Sequence, residues 1–206
     1  MSDGVLYADD HMLVAEKPAG LLSVPGRLPQ HKDCLITRLQ SLYPDALTVH
    51  RLDMATSGLM VFARGPEVHR TLSKAFADRQ VDKRYIAVVA GDLSADGEVD
   101  LPLIKDWPNR PRQMVDHATG KPSLTRYRIL GRGEGTTRIE LEPVTGRTHQ
   151  LRVHMMAIGH PILGDDFYAP PEIEALSPRL LLHAERLSLP HPVTAACVAF
   201  HAAAPF

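Results

Sequence analysis

The 206-residue chain is poor in the features that mark several protein classes. Its two cysteines, Cys34 and Cys197, form no Cys-x-x-Cys pair, so neither a disulfide framework nor a cysteine zinc site is indicated. We expect both to be small apolar residues. No apolar run approaches the roughly 18 residues of a membrane span. The first residues also lack the basic and apolar stretches of a signal peptide. We therefore expect a cytoplasmic protein without a membrane partner.

Positive charge is not in excess either. The formal net charge is −1, so the chain as a whole does not attract a polyanion such as RNA. Three cations do gather in residues 105–112, together with two prolines and the only tryptophan. Such a loop suits contact with a nucleic-acid backbone, and the alternative is a tryptophan packed beneath a solvated loop. A nucleic-acid site, if present, must be a local patch.

Several common catalytic motifs are missing. The sequence has no Gly-x-Ser-x-Gly elbow, Walker loop or Gly-x-Gly-x-x-Gly fingerprint. His149 and His154 are five residues apart, a spacing that does not place two imidazoles on one helical face as metal ligands. We therefore predict carboxylate chemistry that uses neither a cofactor nor a metal.

A polar segment at residues 49–58 lies between two β-rich runs and is the starting point for predicting the site. The runs at 47–49 and 59–63 are typical of buried strands, so the polar segment is predicted to be the loop between them. Its last part, Thr56-Ser57-Gly58, offers two hydroxyls and a glycine. These residues predict a tight turn that holds the loop at a fixed angle.

Asp53 is the candidate catalytic residue of this loop. Arg51 and His50 flank it, and nearby positive charge keeps a carboxylate ionised. An ionised carboxylate can act as a nucleophile or as a base. The alternative is a turn aspartate that only binds its own backbone.

The remaining pattern predicts a single domain of the α+β class, with an antiparallel or mixed sheet. Helices are predicted over 33–42, with Asp33 as N-cap, over 67–77, and from Thr148 to Gly159. Strands are predicted at 13–20, 21–27, 81–90, 99–104, 124–130, 136–141, 180–184 and 196–201.

Arg147 is predicted to lie at the entrance of the third helix. A positive charge there opposes the helix dipole, so the side chain needs an anionic partner. A buried carboxylate such as Asp53 would be a suitable partner.

Three motifs, in this order, resemble the RluA family of pseudouridine synthases. They are His-Arg-Leu-Asp at 50–53 followed by Thr-Ser-Gly at 56–58, then Lys-Arg-Tyr at 83–85, and Gly-Arg-Thr-His-Gln-Leu-Arg-Val-His at 146–154. Further segments at 17–26, 106–111, 159–165 and 180–185 look like the members that modify both large-subunit ribosomal RNA and transfer RNA. The likeness extends over nearly the whole chain.

The resemblance implies a pseudouridine synthase catalytic fold of the α+β class. Such a fold has a mixed, largely antiparallel sheet flanked by helices and loops. It would occupy residues 1–206 as one domain, without an S4-type RNA-binding domain. The implied reaction isomerises specific uridines of ribosomal RNA and of the transfer-RNA anticodon stem-loop, after base flipping and without a cofactor or metal. Structured RNA stem-loops are then the expected partners, and a monomer is the expected state.

The resemblance also assigns roles to four residues. Asp53 matches the essential aspartate, which attacks the sugar or base, or removes a sugar proton. Tyr85 matches the tyrosine that stacks on the uracil and helps to remove the C5 proton. Arg147 matches the arginine that pairs with the catalytic aspartate. Arg51 matches the residue that fills the gap left by the flipped nucleotide.

Two more arginines, Arg112 and Arg152, are expected to contact phosphates or to pair within the framework. Two other functions stay open from the residues alone. One is an RNA-binding module that has lost catalysis, which the retention of all three catalytic residues opposes. The other is a hydrolase of small substrates with a carboxylate nucleophile, which the basic loop and Arg51 make less attractive.

Overall fold

A computed structural model of the chain describes residues 4–26, 28 and 32–206. The chain divides into two compact units, one of residues 1–83 and 184–205 and one of residues 84–183 with Phe206. None of the helices in these described ranges is both long and apolar enough to cross a membrane. In chain order the elements are β1 Val5–Ala8, β2 Met12–Lys17, α1 Leu35–Gln40, β3 Ala46–Thr48, β4 Ser57–Arg64, α2 Pro66–Ala77, β5 Asp82–Ala90, β6 Gly97–Asp100, β7 Leu103–Lys105, β8 Gln113–Val115, β9 Leu124–Gly133, β10 Thr136–Pro143, α3 Gln150–Ala157, α4 Pro171–Glu174, β11 Leu182–Pro190 and β12 Cys197–His201.

The first unit is built around strand β4. This strand is apolar on both faces, and all but its last residue are buried, so it takes a central position in the sheet. It pairs antiparallel with β2 and β3 and lies beside β11, while β1 and β12 extend the sheet on either side. Helix α2 packs against β3 and β4. The buried core of the unit contains Met12, Val14, Leu59, Val61, Ala63, Leu72, Ala75, Val81, Leu187, Leu189 and Ala202.

The second unit is built around the long hairpin of β9 and β10. β10 also pairs antiparallel with β5, and β9 with β6, while β7 and β8 form a separate two-stranded sheet. Helix α3 packs against β8, β9 and β10. Fully buried apolar residues of this unit are Ala87, Val89, Ile139, Leu141, Val153, Met155 and Ile162.

The predicted α+β class with largely antiparallel strands is confirmed, but two predicted strands are wrong. Residues 21–26 form no strand; Leu22 makes only an isolated bridge with Cys34, and Arg27 of that prediction lies outside the described residues. Strand β2 instead pairs antiparallel with β1, whose four residues are too few to show a strand pattern in the sequence. The predicted strand 99–104 is divided into β6 and β7, because Pro102 between them has no N–H for a ladder.

The cysteines and the first helix also differ from the prediction. Helix α1 begins after Cys34, so Asp33 is not its N-cap. The Asp33 carboxylate instead accepts hydrogen bonds from Arg38, at 2.8 Å from Nε and 2.7 Å from Nη2. Cys34 is buried as expected, but Cys197 is exposed, with its Sγ 3.2 Å from the Ser188 Oγ.

Candidate active site

Asp53 lies in the loop of residues 49–56 that joins β3 to β4, as predicted. The Thr56 N–H donates to the Asp53 carbonyl at 3.1 Å, which closes a turn around the aspartate. On the other side, the buried Ser23 hydroxyl donates to the Leu52 carbonyl at 2.7 Å and accepts the Leu52 N–H at 3.1 Å. The half-buried Asp53 side chain therefore projects from a backbone that is held before and after it.

Lys17, the last residue of β2, fixes the same loop from within the protein. Its side chain is fully buried at 0% exposure. The Nζ donates to three backbone oxygens at 2.9, 2.7 and 3.0 Å, those of Pro18, Leu21 and Met54. The Met54 oxygen also accepts the Gly20 N–H at 2.8 Å. A buried ammonium is tolerated only when its donors are satisfied, so this geometry ties the residue after Asp53 to the end of β2.

Gly58 is required for a reason other than the predicted turn. Ser57 and Gly58 belong to β4, so the prediction of a tight turn at 56–58 is wrong for these two residues. Gly58 has a φ of +115°, and a Cβ placed there would lie 2.3 Å from the Ala184 oxygen and 2.5 Å from its nitrogen. The glycine is thus needed for the close approach of strand β11 to the start of β4.

His50 supports the loop but does not supply positive charge. Its Nε2 accepts the Val61 N–H at 3.0 Å, and its ring stacks on Phe76 with centroids 4.6 Å apart. Burial, with a contribution from the nearby Lys83 ammonium, lowers the pKa of His50 to about 3. The expectation that His50 helps to keep Asp53 ionised is therefore wrong, because the imidazole is neutral near pH 7. Arg51 is the exposed cation of the loop.

Tyr85 lies on strand β5 in the second unit. Its register partner is Leu141 of β10, and the following residues, Ile86 and Ala87, are buried in the core. Beside it, Arg84 forms an ion pair with Glu142 of β10. The tyrosine is half-buried, and its backbone is held in the central part of a sheet.

Arg147 lies in the turn between β10 and α3, and Gln150 holds that turn. The buried Gln150 Oε1 accepts the Arg147 N–H at 3.0 Å and the Thr145 hydroxyl at 2.7 Å. Its Nε2 donates to the Leu124 carbonyl at 2.9 Å and to the Thr125 Oγ1 at 3.0 Å. All polar atoms of the amide are thus used to hold the backbone that carries the exposed Arg147 side chain.

The residue that caps helix α3 differs from the one predicted from the sequence. The helix begins at Gln150, and its N-cap is His149 in the left-handed conformation, with a φ of 53°. Thr148 is therefore not the cap. The Gln150 side chain folds back to accept the Arg147 N–H, which lies before the helix, so this hydrogen bond holds the turn and does not cap the helix. The prediction that Arg147 stands just before the helix is confirmed.

Tyr168 connects this turn with strand β8. Its hydroxyl accepts the Gln113 N–H at 2.8 Å and shares a 2.6 Å hydrogen bond with the His149 Nδ1. Gln113 directly follows Arg112, whose side chain is exposed at the end of the loop between β7 and β8. The Tyr168 hydroxyl therefore links the residue after Arg112 to His149, which lies in the same turn as Arg147.

Arg152 is only 2% exposed and is paired within the framework. Its guanidinium binds Asp165 through two hydrogen bonds of 2.8 and 2.5 Å and Asp166 through one of 2.9 Å. It also lies 4.9 Å from the ring centroid of Phe167 and 5.2 Å from that of Tyr168. The geometry matches framework pairing, one of the two roles expected from the sequence, and a phosphate contact stays a prediction.

The predicted site residues are divided between the two units. Arg51 and Asp53 belong to the first, whereas Tyr85, Arg147, Arg112 and Arg152 belong to the second. The expected pairing of Asp53 with Arg147 stays a prediction. Sequence reasoning missed the supporting residues Lys17, Ser23, Gln150 and Tyr168. For Lys17 there was a signal, a lysine that ends an apolar strand before Pro-Ala-Gly, but the backbone oxygens that bind it cannot be identified from sequence.

Known proteins resemble this chain over nearly its full length. A family model described as RNA pseudouridylate synthase matches residues 11–157. The Dual-specificity RNA pseudouridine synthase RluA of Escherichia coli (strain K12) is 55% identical over 204 residues, which cover 98% of this chain and 93% of that protein. The protein of the same name from Pasteurella multocida (strain Pm70) is 52% identical over 200 residues, covering 96% and 91%.

A solved structure confirms the predicted pseudouridine synthase fold. Human RNA Pseudouridylate Synthase Domain Containing 1 superimposes with a TM-score of 0.83 at 28% identity, covering 98% of this chain and 83% of the human one. The family model matches well over half of the chain, and the relatives share half or more of its residues. The chain therefore belongs to the RNA pseudouridylate synthase family and is a pseudouridine synthase, an isomerase.

Proposed function

We propose that the enzyme isomerises specific uridines in stem-loops of both large-subunit ribosomal RNA and transfer RNA, and that Asp53 begins the reaction. Relatives that share half or more of its residues carry the name dual-specificity RNA pseudouridine synthase, which supports two classes of RNA substrate. We further propose that it works as a cytoplasmic monomer and needs no cofactor or metal. The flipped uridine would be detached from its ribose, rotated and rejoined while the RNA backbone stays bound.

The reaction balances without an external oxidant or reductant. The N1–C1′ bond breaks, the base rotates, and a C5–C1′ bond forms. C5 then loses its proton, and N1 gains one. Asp53 can serve as a nucleophile at the sugar or base, or as a base for a sugar proton, and each route requires the ionised carboxylate.

The observation that carries the proposal is the way the Asp53 loop is held. Ser23 binds both backbone groups of Leu52, Thr56 closes the turn on the Asp53 carbonyl, and the Lys17 ammonium binds the carbonyl of Met54. A turn aspartate without a function would not need three independent anchors. A reacting group does, because catalysis depends on holding it within a fraction of an ångström of its target.

Arg147 is proposed to pair with the Asp53 carboxylate and keep it ionised. Gln150 fixes the backbone of Arg147, while the Arg147 side chain is exposed and its Nε donates to the Pro122 carbonyl at 3.4 Å. An arginine is suited to this role because its guanidinium stays charged and can bind a carboxylate through two parallel hydrogen bonds.

Tyr85 is proposed to stack on the target uracil and to assist removal of its C5 proton. A half-buried ring on a sheet strand offers a fixed aromatic face for a base that must rotate. Tyr85→Phe keeps the face and removes the hydroxyl. It should therefore slow proton release from C5 while RNA affinity changes little.

The three remaining arginines are proposed to act in different ways. Arg51, exposed on the Asp53 loop, is proposed to occupy the gap that the flipped nucleotide leaves. Arg112 is exposed at the end of its loop and is proposed to bind phosphate. Arg152 is buried against Asp165, and of its two expected roles we propose framework pairing, which positions the segment around Tyr168.

The test is release of tritium from RNA labelled at uridine C5. Unmodified transfer RNA and ribosomal stem-loop transcripts are incubated separately with the enzyme. Release from both transcripts supports dual specificity, and release from one restricts the proposal to that RNA. No release from either, with RNA binding intact, would contradict the proposed substrates. The same assay with Asp53→Asn tests the role of the aspartate.

A further inference from the structure

We infer that Trp107, with Lys105 and Arg110, forms a docking platform on which an unpaired RNA base stacks while the two cations bind the flanking phosphates. This inference rests on the proposed function, because it assumes that the substrate is RNA. It adds a recognition element in the loop of residues 106–112, between β7 and β8, to which none of the catalytic roles above belongs.

Trp107 is the clearest exposed aromatic residue of the described chain. Its side chain is 60% exposed, although burying an indole is strongly favourable. Two cations lie over the ring, with the Lys105 Nζ 4.5 Å and the Arg110 Cζ 5.3 Å from its centroid. The cation–π interaction holds the indole at the protein surface, where most of the side chain stays exposed instead of packing into the core.

The loop that carries the platform is ordered by its own hydrogen bonds. The Asp106 carboxylate accepts the Asn109 N–H at 3.3 Å and its Nδ2 at 2.9 Å. The Asp106 N–H donates to the Arg112 carbonyl at 3.1 Å, and the Arg112 N–H to the Asn109 carbonyl at 3.0 Å. Tyr168 anchors the start of β8 directly after the loop. A preformed loop loses little conformational entropy on binding, which favours a recognition role.

The chemistry of the loop selects RNA with unpaired bases. Residues 105–112 contain three cations and one carboxylate, that of Asp106, which accepts a hydrogen bond from Asn109. The loop is therefore locally basic, although the net charge of the chain is −1. Phosphates of a bound RNA can draw the two cations away from the ring, and a nucleobase can then stack on the indole face that a cation leaves. A duplex would offer only phosphates, because its bases are stacked on one another. An acidic peptide would likewise leave the indole face without a planar partner.

The sole tryptophan makes the platform directly observable. Because Trp107 is the only tryptophan of the chain, fluorescence excited at the red edge of indole absorption, where the five tyrosines do not absorb, reports on this position alone. We expect a stem-loop substrate to quench the fluorescence and to protect the ring from acrylamide. Replacing the loop nucleotides one at a time by abasic sites should abolish the quenching at a single position. A duplex of the same composition and polyglutamate should quench little. Equal quenching by polyglutamate would overturn the inference in favour of an anionic protein partner.

Two substitutions separate stacking from phosphate binding. Trp107→Leu should raise the Kd for the stem-loop about 5- to 150-fold, the range for loss of one base–aromatic stack, with an unchanged salt dependence. Trp107→Phe should retain most of the affinity. Arg110→Gln should reduce the slope of log Kd against log salt by about 0.7–0.9, which corresponds to one phosphate contact. The control Arg70→Gln removes an exposed cation from α2 and should leave the stacking signal unchanged.

Failure of the platform and failure of the proposed function give different results. If tritium release is normal but RNA leaves the Trp107 fluorescence unchanged, and Trp107→Leu binds within about twofold of wild type, the platform is refuted and the proposed function stands. If no RNA supports tritium release but stem-loops still quench the fluorescence, the platform stands and the proposed substrates are refuted.

Discussion

Replacing Lys17 by methionine tests whether the buried ammonium holds the Asp53 loop. Methionine has a similar length and fills the same space, so the substitution removes the charge and its donors with little change in packing. The Met54 carbonyl keeps a donor, the Gly20 N–H at 2.8 Å. The carbonyls of Pro18 and Leu21 lose the Nζ donor that lies 2.9 and 2.7 Å away.

The expected loss of stability follows from these two acceptors. Both hydrogen bonds are part-buried, and loss of a hydrogen bond from a charged donor costs about 1.5–3 kcal/mol, of which relief of the desolvation of the ammonium offsets a part. We expect the free energy of unfolding of Lys17→Met to fall by about 2–4 kcal/mol. Lys74→Met is the matched control, because the Lys74 side chain is 76% exposed on α2, and it should change stability by less than about 0.5 kcal/mol.

Urea unfolding followed by circular dichroism measures both variants, and tritium release measures the folded enzyme. Lys17→Met should lower kcat more than it raises KM, because the loop that carries Asp53 loses an anchor while the RNA-contacting arginines are unchanged. Stability within about 0.5 kcal/mol of wild type together with a normal kcat would refute the reasoning.

Three further predictions concern the framework. Gly58→Ala should prevent folding or lower the free energy of unfolding by more than about 3 kcal/mol, because its Cβ would lie 2.3 Å from a backbone oxygen of Ala184; a thermal melt near that of wild type would contradict this. Arg152→Met should cost about 3–5 kcal/mol because it leaves the Asp165 carboxylate buried and unpaired, and Arg152→Met/Asp165→Leu should recover part of the loss in urea unfolding. Burial raises the pKa of Asp9, but hydrogen bonds from a tyrosine hydroxyl, a histidine and two backbone N–H groups outweigh it and place the pKa well below its usual value. The ionised carboxylate therefore stabilises the fold above about pH 4, and the stability difference between wild type and Asp9→Asn should shrink as the pH falls below that value; a difference independent of pH would exclude this role.

Elements with a clear hydrophobic period could be predicted from the sequence. Strand β4 is a continuous apolar run, α2 repeats its apolar residues at helical spacing, and β9 and β10 alternate around a glycine-rich turn; all four elements were predicted within a few residues. The β1 strand was missed because four residues are too few for a pattern. Pro102 divided a predicted strand because the ladder needs an N–H that proline does not have.

The side-chain support of the site could not be predicted, because it depends on contacts between distant residues. His50 looked like a positive neighbour of Asp53, but burial and the Val61 N–H make it a neutral acceptor. Gly58 looked like a turn residue, but the approach of Ala184, 126 positions further on, decides its role. Arg147 was placed correctly before the helix, but Thr148 was wrongly predicted as the cap, and the Gln150 amide that holds the Arg147 turn was not predicted.

The most direct measurement is single-turnover tritium release from C5-labelled RNA by Asp53→Asn. Asp10→Asn, which changes an exposed carboxylate between β1 and β2, is the matched control. We predict that Asp53→Asn folds, binds the stem-loop within about threefold of wild type and releases tritium at least about 1000-fold more slowly, while Asp10→Asn behaves as wild type. Tritium release by Asp53→Asn at a rate near that of wild type would contradict the assignment of Asp53 as the catalytic group.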